Sequence, residues 1–249
     1  MDSDTEVVRD VRGTPVAFYE AGKREDVRWA DDLRPAGGVS AADAAELVLA
    51  ELSGWGATTR EALEADLAAR GARIERRFAS YTHVLRDSPH LSGALRLPAH
   101  LEAVPATGVD PAVLREAYAA AYPVGHPDHD MSAFEDLEAL LQGTLMEPLL
   151  PVSTVLLDTR SHRGVAAVLV HDTPGDPPLE GPWISEVFRD PSPAYRGTGS
   201  LLLRHVLRLS AEAGLPALGL SVTVGNPAAR LYEATGFVRT EQWADLRLP

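Results

Sequence analysis

The chain of 249 residues contains no cysteine. That absence removes disulfides, thiolate metal sites and cysteine nucleophiles together. Lysine is almost missing as well: Lys23 stands alone, and arginine supplies the remaining basic charge. With 23 basic against 36 acidic residues the net charge is −13. The acids are scattered, and there is no concentrated basic face of the kind nucleic acid requires, so no nucleic-acid partner is expected. Such a surface either attracts cationic amines or serves solubility alone. No apolar run approaches the ~20 residues of a membrane span, and no membrane partner is expected. The start Met1-Asp2-Ser3-Asp4 lacks the basic and apolar regions of a secretory signal. A cytoplasmic protein, monomer or homodimer, is the expectation. No G-x-S-x-G elbow occurs, which sets hydrolase chemistry aside.

What is present is a 45% hydrophobic chain, enough for a real core. Residues 14–20 (TPVAFYE) predict a strand. Ser40-Ala41-Ala42-Asp43 reads as a capping box opening a helix to about Leu52. Thr58-Thr59-Arg60-Glu61 reads as a second one, for a helix that Gly71 ends. A strand over Ile74–Leu85 follows. Ser88-Pro89-His90 and Gly93 are loop-like, and the domain boundary is placed there, giving residues 1–92 and 93–249.

Beyond that boundary Asp110-Pro111 starts a helix, an N-cap with proline at N1. After the loop PVGHPDHD, Ser132-Ala133-Phe134-Glu135 caps another. Val152–Asp158 and Val165–His171 predict a hairpin, and Trp183–Arg189 a third strand. From about Leu95 the order is strand, helix, helix, strand, strand, strand, helix, strand, helix, strand. Residues 67–85 and 232–248 share a layout of helix end, glycine and basic-rich strand. A degenerate internal repeat and chance likeness between two common units are both compatible with that.

Two segments carry chemistry. Arg196-Gly197-Thr198-Gly199 opens the helix SLLLRHVLRLSAEA after a strand and a proline loop. Successive backbone N–H groups at a helix N-terminus form an anion site, and glycine lets the chain approach closely. Downstream, Asn226-Pro227-Ala228-Ala229-Arg230-Leu231-Tyr232 begins a helix where a strand has just ended, with Asn226 as its cap and Tyr232 on its later turns.

These segments, R-G-x-G before a helix and N-P-A-A-R-L-Y-E-A-T-G-F after a strand, resemble the GCN5-related N-acetyltransferases (GNATs), and the element order from Leu95 matches theirs. The resemblance implies an α/β fold with a splayed central sheet, preceded by a smaller α/β segment, itself a degenerate half-domain of the same kind. It implies acetyl-CoA as donor co-substrate and transfer of acetyl to a primary amine, with a small molecule as the expected acceptor. Cofactor contacts would come from Val187, Phe188, Arg189, Arg196, Gly197, Thr198, Gly199, Ser200, Asn226 and Ala229. Tyr232 would protonate the departing thiolate, suited to this by a phenol pKa near 10. Glu186 is the candidate general base, or else a salt-bridged carboxylate facing solvent. Tyr122, His126 and His129 would border the acceptor, unless 122–130 is a plain helix connection; its His and Asp residues match no zinc spacing, and no metal is expected. The chain departs from the family pattern at Leu201, where glycine or alanine is usual, and in a longer loop at 190–194. Other readings are a non-catalytic acyl-CoA-binding protein and a protein N-acetyltransferase.

Overall fold

The computed structural model describes residues 5–24, 26–86, 95–129, 133–175 and 181–249. Its contacts divide the chain into two units, residues 1–79 with 241–249, and residues 80–240. The boundary segment 88–93 expected from sequence and the Ser132 cap lie outside the described residues.

The first unit is mixed α/β. Its elements are β1 (Thr5–Arg9), β2 (Pro15–Arg24), β3 (Val27–Pro35), α1 (Ala41–Glu51), β4 (Gly56–Arg60), α2 (Glu61–Ala69) and the start of β5 (Arg73–Val84). The C-terminal part of β11 (Val238–Arg247) joins them. The strand order is β1-β2-β3-β4-β11-β5. β3 and β4 run parallel, and β11 pairs antiparallel with β4 from Trp243↔Arg60 to Arg247↔Gly56. Helix α1 forms because alanine and leucine dominate it and Ser40 Oγ accepts the Asp43 N–H at 3.1 Å. Its Ala44, Ala45 and Val48 are buried in the core with Leu33, Leu63 and Leu67.

Sequence alone misplaces part of this unit. Thr58 and Thr59 do not cap a helix; they lie in β4, and α2 begins after Arg60 with no side-chain cap. The threonine hydroxyls reach across strands instead, Thr59 donating to Leu33 O at 2.6 Å and Thr58 to the buried Asp245 at 2.7 Å. β-Branched residues suit that pleated setting better than a helix start. Strands β1 and β3 are additions, their charged residues having hidden the strand pattern.

The second unit contains β6 (Leu101–Pro105), α3 (Arg115–Ala121), α4 (Phe134–Gln142), β7 (Thr154–Asp158), β8 (Arg163–Asp172), β9 (Pro182–Arg189), α5 (Thr198–Glu212), β10 (Ala217–Thr223) and α6 (Ala228–Ala234). The element order predicted from Leu95 onward is the observed one. Asp110 starts a 3₁₀ turn over Pro111–Leu114, its carboxylate accepting the Ala112 N–H at 2.9 Å, and α3 continues from it. The strand order is β5-β10-β9-β8-β7-β6. β6 to β9 form an antiparallel run, whereas β9 and β10 are parallel. The apolar face of α5 buries Leu202, Leu203, Val206 and Leu207 completely. On the other side, α3 and α4 bury Leu114, Tyr118, Leu137 and Leu140 with Leu169 and Phe188.

Two irregularities shape the middle of this sheet. β9 and β10 are in register at one place, Gly219↔Trp183. Among the described residues no other register pair joins these two strands, so they are not laddered together towards Arg189 and Thr223. Second, β9 pairs with β8 at Val170↔Ile184 and then Leu169↔Glu186, so Ser185 is the extra residue of a bulge. A bulge adds local twist and re-aims the neighbouring side chain, here Glu186.

Candidate active site

Helix α5 presents an open N-terminus beside β9. Gly197 precedes it in the left-handed conformation, φ +85°, which a side chain would strain. The first N–H to bond back is that of Leu201, to Gly197 O at 3.2 Å. The N–H groups of Gly197, Thr198, Gly199 and Ser200 find no acceptor among the described residues. No acidic residue sits in the first turn, and the exposed Arg196 guanidinium makes no ion pair among the described residues. Four uncommitted amides, a helix dipole and a free cation fit a pyrophosphate. Thr198 differs from its neighbours in burying its side chain, donating to Tyr195 O at 2.7 Å. Arg189 lies against Gly199 and donates to Asp190 O at 2.7 Å. Leu201, the departure from the family pattern, is exposed.

Glu186 sits on β9 after the bulge. Its two carboxylate oxygens receive different donors: Tyr122 hydroxyl on Oε1, and Tyr118 hydroxyl on Oε2 at 3.3 Å. Among the described residues no ion pair reaches it, so the reading as a salt-bridged surface carboxylate does not describe it. Burial, opposed by the two phenols and the Val187 N–H, raises its pKa to about 7. Those N–H and hydroxyl donors moderate a larger desolvation effect. Val187 therefore has its N–H near the Glu186 carboxylate, while Phe188 is buried with its ring 5.1 Å from that of Tyr118.

Tyr232 is buried on α6, its ring 6.4 Å from Tyr81 and 5.9 Å from Phe237. Its hydroxyl finds no hydrogen-bond partner among the described residues. Burial, then the negative charges of Glu186 and Asp128, push its pKa above that of an ordinary phenol. Both charges act on the phenol, so the three side chains share one electrostatic environment.

The loop after α3 closes this group. Asn226 does not occupy the cap position, since α6 begins at Ala228 after Pro227; its Oδ1 accepts the Ala228 N–H at 2.8 Å in a turn just ahead of the helix. The other end of its amide donates to Asp128 at 2.6 Å. Ala229 donates to Asn226 O at 3.3 Å. His126 accepts the Asp128 N–H at 3.1 Å and lies edge-on to Tyr122, ring centroids 5.1 Å apart. His129 Nδ1 lies 2.8 Å from Tyr122 O and is exposed. Tyr122, His126 and His129 thus fold together, with the Tyr122 hydroxyl turned to Glu186. Among the described residues no three His, Cys, Asp or Glu side chains form a group able to hold a metal ion.

Sequence reading missed Tyr118 and Asp128 as members of this group. Tyr-x-x-x-Tyr at 118 and 122 was a usable signal, because i and i+4 share one helix face. The pairing of Asp128 with Asn226 spans 98 residues and has no local signature.

The fold that carries this group of residues has counterparts among solved structures. A GCN5-related N-acetyltransferase from Sphaerobacter thermophilus matches with a TM-score of 0.65 at 20% identity, over 98% of this chain and 80% of that one. This chain has the GNAT fold. A tandem GNAT protein from the clavulanic acid biosynthesis pathway matches at 0.61 and 15% identity, over 96% of this chain and 80% of that one. A GCN5-related N-acetyltransferase from Kribbella flavida matches at 0.57 and 16%, over 99% and 90%. No protein-family model and no curated protein sequence matches the chain. Among the described residues no helix of this GNAT fold is long and apolar enough to cross a membrane.

Proposed function

We propose that the protein is an acetyl-CoA-dependent N-acetyltransferase that moves an acetyl group directly to the primary amine of a small molecule. The observation that carries this reading is the convergence, beside the β9–β10 gap and the bare α5 N-terminus, of a carboxylate with a pKa of about 7 and a buried phenol. Acetyl-CoA supplies the activated acyl group. The amides of residues 197–200 and Arg196 bind its pyrophosphate, and the edge of β9 at Val187–Arg189 that faces away from β8, with Asn226 and Ala229 opposite, takes the pantetheine arm as an added strand.

Glu186 removes a proton from the acceptor ammonium, since only the neutral amine has a lone pair for attack. A carboxylate ionising near 7 is matched to that task at neutral pH. A β9 N–H, at Phe188 or at Val187 once it turns from the Glu186 carboxylate it meets here, steadies the developing oxyanion. As the C–N bond forms and the C–S bond breaks, Tyr232 gives its proton to sulfur and is restored by the second proton that the nitrogen sheds on becoming an amide; its raised pKa keeps the phenol protonated until then. Tyr122, His126 and His129 border the acceptor. The reaction draws on the cytoplasmic acetyl-CoA pool, and the protein works as a monomer or homodimer.

The first 92 residues are proposed to be a degenerate GNAT-like half, a reading supported by the likeness over 96% of the chain to a tandem GNAT protein. Following free thiol with acetyl-CoA and a panel of amines tests the function. Amine-dependent thiol release that falls in Tyr232→Phe is expected. CoA binding with no amine acetylated would make the protein a non-catalytic acyl-CoA binder.

A further inference from the structure

Glu186 is held in an unusual way for a carboxylate that must work as a base. Both of its oxygens are engaged, and both donors are phenols from one helix face. Tyr118 lies within α3 and Tyr122 follows its last residue, so the i, i+4 spacing stacks the two rings edge-on with centroids 5.1 Å apart. The two are supported differently. Tyr118 is 3% exposed and is boxed in by Phe134 and Phe188, at 6.3 and 5.1 Å. Tyr122 is partly exposed, and its backbone carbonyl and ring are tied to His129 and His126 in the following loop. Phe188 and Glu186 are both on β9, so the strand that carries the carboxylate also braces the phenol that holds it.

We propose that Tyr118 and Tyr122 are positioning residues, whose hydroxyls, one on each oxygen of Glu186, fix the orientation in which this carboxylate receives the acceptor's proton. This rests on the transferase reading and adds two residues to its machinery. Tyr118 is the fixed post, because its ring has nowhere to turn. Tyr122 links the carboxylate to the loop at 122–129, so acceptor contact with that loop and orientation of the base become one event.

The clamp has a sign. Hydroxyls donated to a carboxylate favour its charged form and hold its pKa down against burial. The groups facing Glu186 are the two phenols from the α3 side, Asp128 from the following loop and Tyr232 from α6, with the Val187 N–H on its own strand. Asp128 pushes the pKa up, while the phenols and the Val187 N–H oppose burial. Removing either hydroxyl should therefore raise the pKa of Glu186 above about 7.

The test follows the Glu186 carboxyl by ¹³C NMR in glutamate-labelled full-length protein, the signal being assigned by its loss in Glu186→Gln. Tyr118→Phe and Tyr122→Phe should each move its midpoint upward by about one pH unit. The acid limb of kcat/KM for an accepted amine should move with it, while KM for acetyl-CoA stays unchanged. Should Tyr118→Phe fail to fold, Tyr122→Phe, at a residue less buried than Tyr118, carries the test. Midpoints that stay in place while amines are still acetylated overturn the clamp alone. A wild type that acetylates no amine overturns the transferase reading, and the clamp's role in a reaction with it.

Discussion

The run β3–α1–β4–α2–β5 and the run β9–α5–β10–α6–β11 follow one plan: strand, helix, parallel strand, short helix, glycine, strand. Both leading strands carry an irregularity, between Ala30 and Leu33 in one and at Ser185 in the other. Both short helices end at a glycine of positive φ, Gly71 and Gly236, with a residue four positions earlier turned inward, Leu67 and Tyr232. The differences fall on the chemistry. Leu33, fully buried, follows the β3 irregularity as Glu186 follows the bulge in β9. β3 and β4 pair at Trp29↔Gly56, Ala30↔Ala57 and Leu33↔Thr59, against one position for β9 and β10. The Trp29 ring lies on Gly56 so closely that a Cβ there would be 2.0 Å from it. Helix α1 satisfies its own start with Ser40 and places Asp43 in the first turn, whereas α5 has neither cap nor acid. One backbone plan thus supports a sealed, apolar version and an open, polar one, and a handful of side chains separates them.

Breaking that difference at the chemical groups should have the largest effect. Glu186→Gln and Tyr232→Phe make the second unit resemble the first, and each should lower kcat by roughly 10²-fold or more while acetyl-CoA still binds. Single-turnover measurements with saturating acetyl-CoA check this. Next comes the helix start. Ser200→Asp places a carboxylate at the α5 position that Asp43 holds in α1. It should raise KM for acetyl-CoA about tenfold or more while slightly raising the melting temperature, because a first-turn acid favours the helix and repels phosphate.

A smaller effect concerns stability. Glu186 has a folded-state pKa of about 7, above its ordinary value of 4.5. Its contribution is fully present below pH 4.5 and is lost as pH rises towards 7, since folding then opposes an ionisation the unfolded chain allows. Across that window the melting temperature of wild type should fall relative to Glu186→Gln, which has no such group. Smallest of all, Ser40→Ala should cost about 1 kcal/mol of stability through the lost cap, with KM for acetyl-CoA and kcat unchanged. Chemical denaturation beside steady-state kinetics separates the two readouts.

The sequence made some of this contrast readable. Ser40-x-x-Asp43 and Gly197-Thr198-Gly199 announce themselves because caps and left-handed turns depend on residues next to one another. The strand between them in chain order, β4, did not: Thr58 and Thr59 look like helix caps until Leu33 O and Asp245 are placed beside their hydroxyls. The same limit hid the clamp on Glu186. Tyr118 in REAYAAAY reads as a helix core residue, and its second role exists only because β9 lies across α3. Likewise the charge of Asp128 matters because Asn226, 98 residues on, holds it there.

The pH dependence of kcat/KM for an accepted amine, measured for wild type and Glu186→Gln side by side, tests most directly whether the open version is a transferase with Glu186 as its base. In wild type, activity should rise with pH through a midpoint near 7, as the carboxylate loses its proton, and the variant should keep only weak activity without that limb. An acid limb of the same midpoint and similar height in both proteins would contradict it.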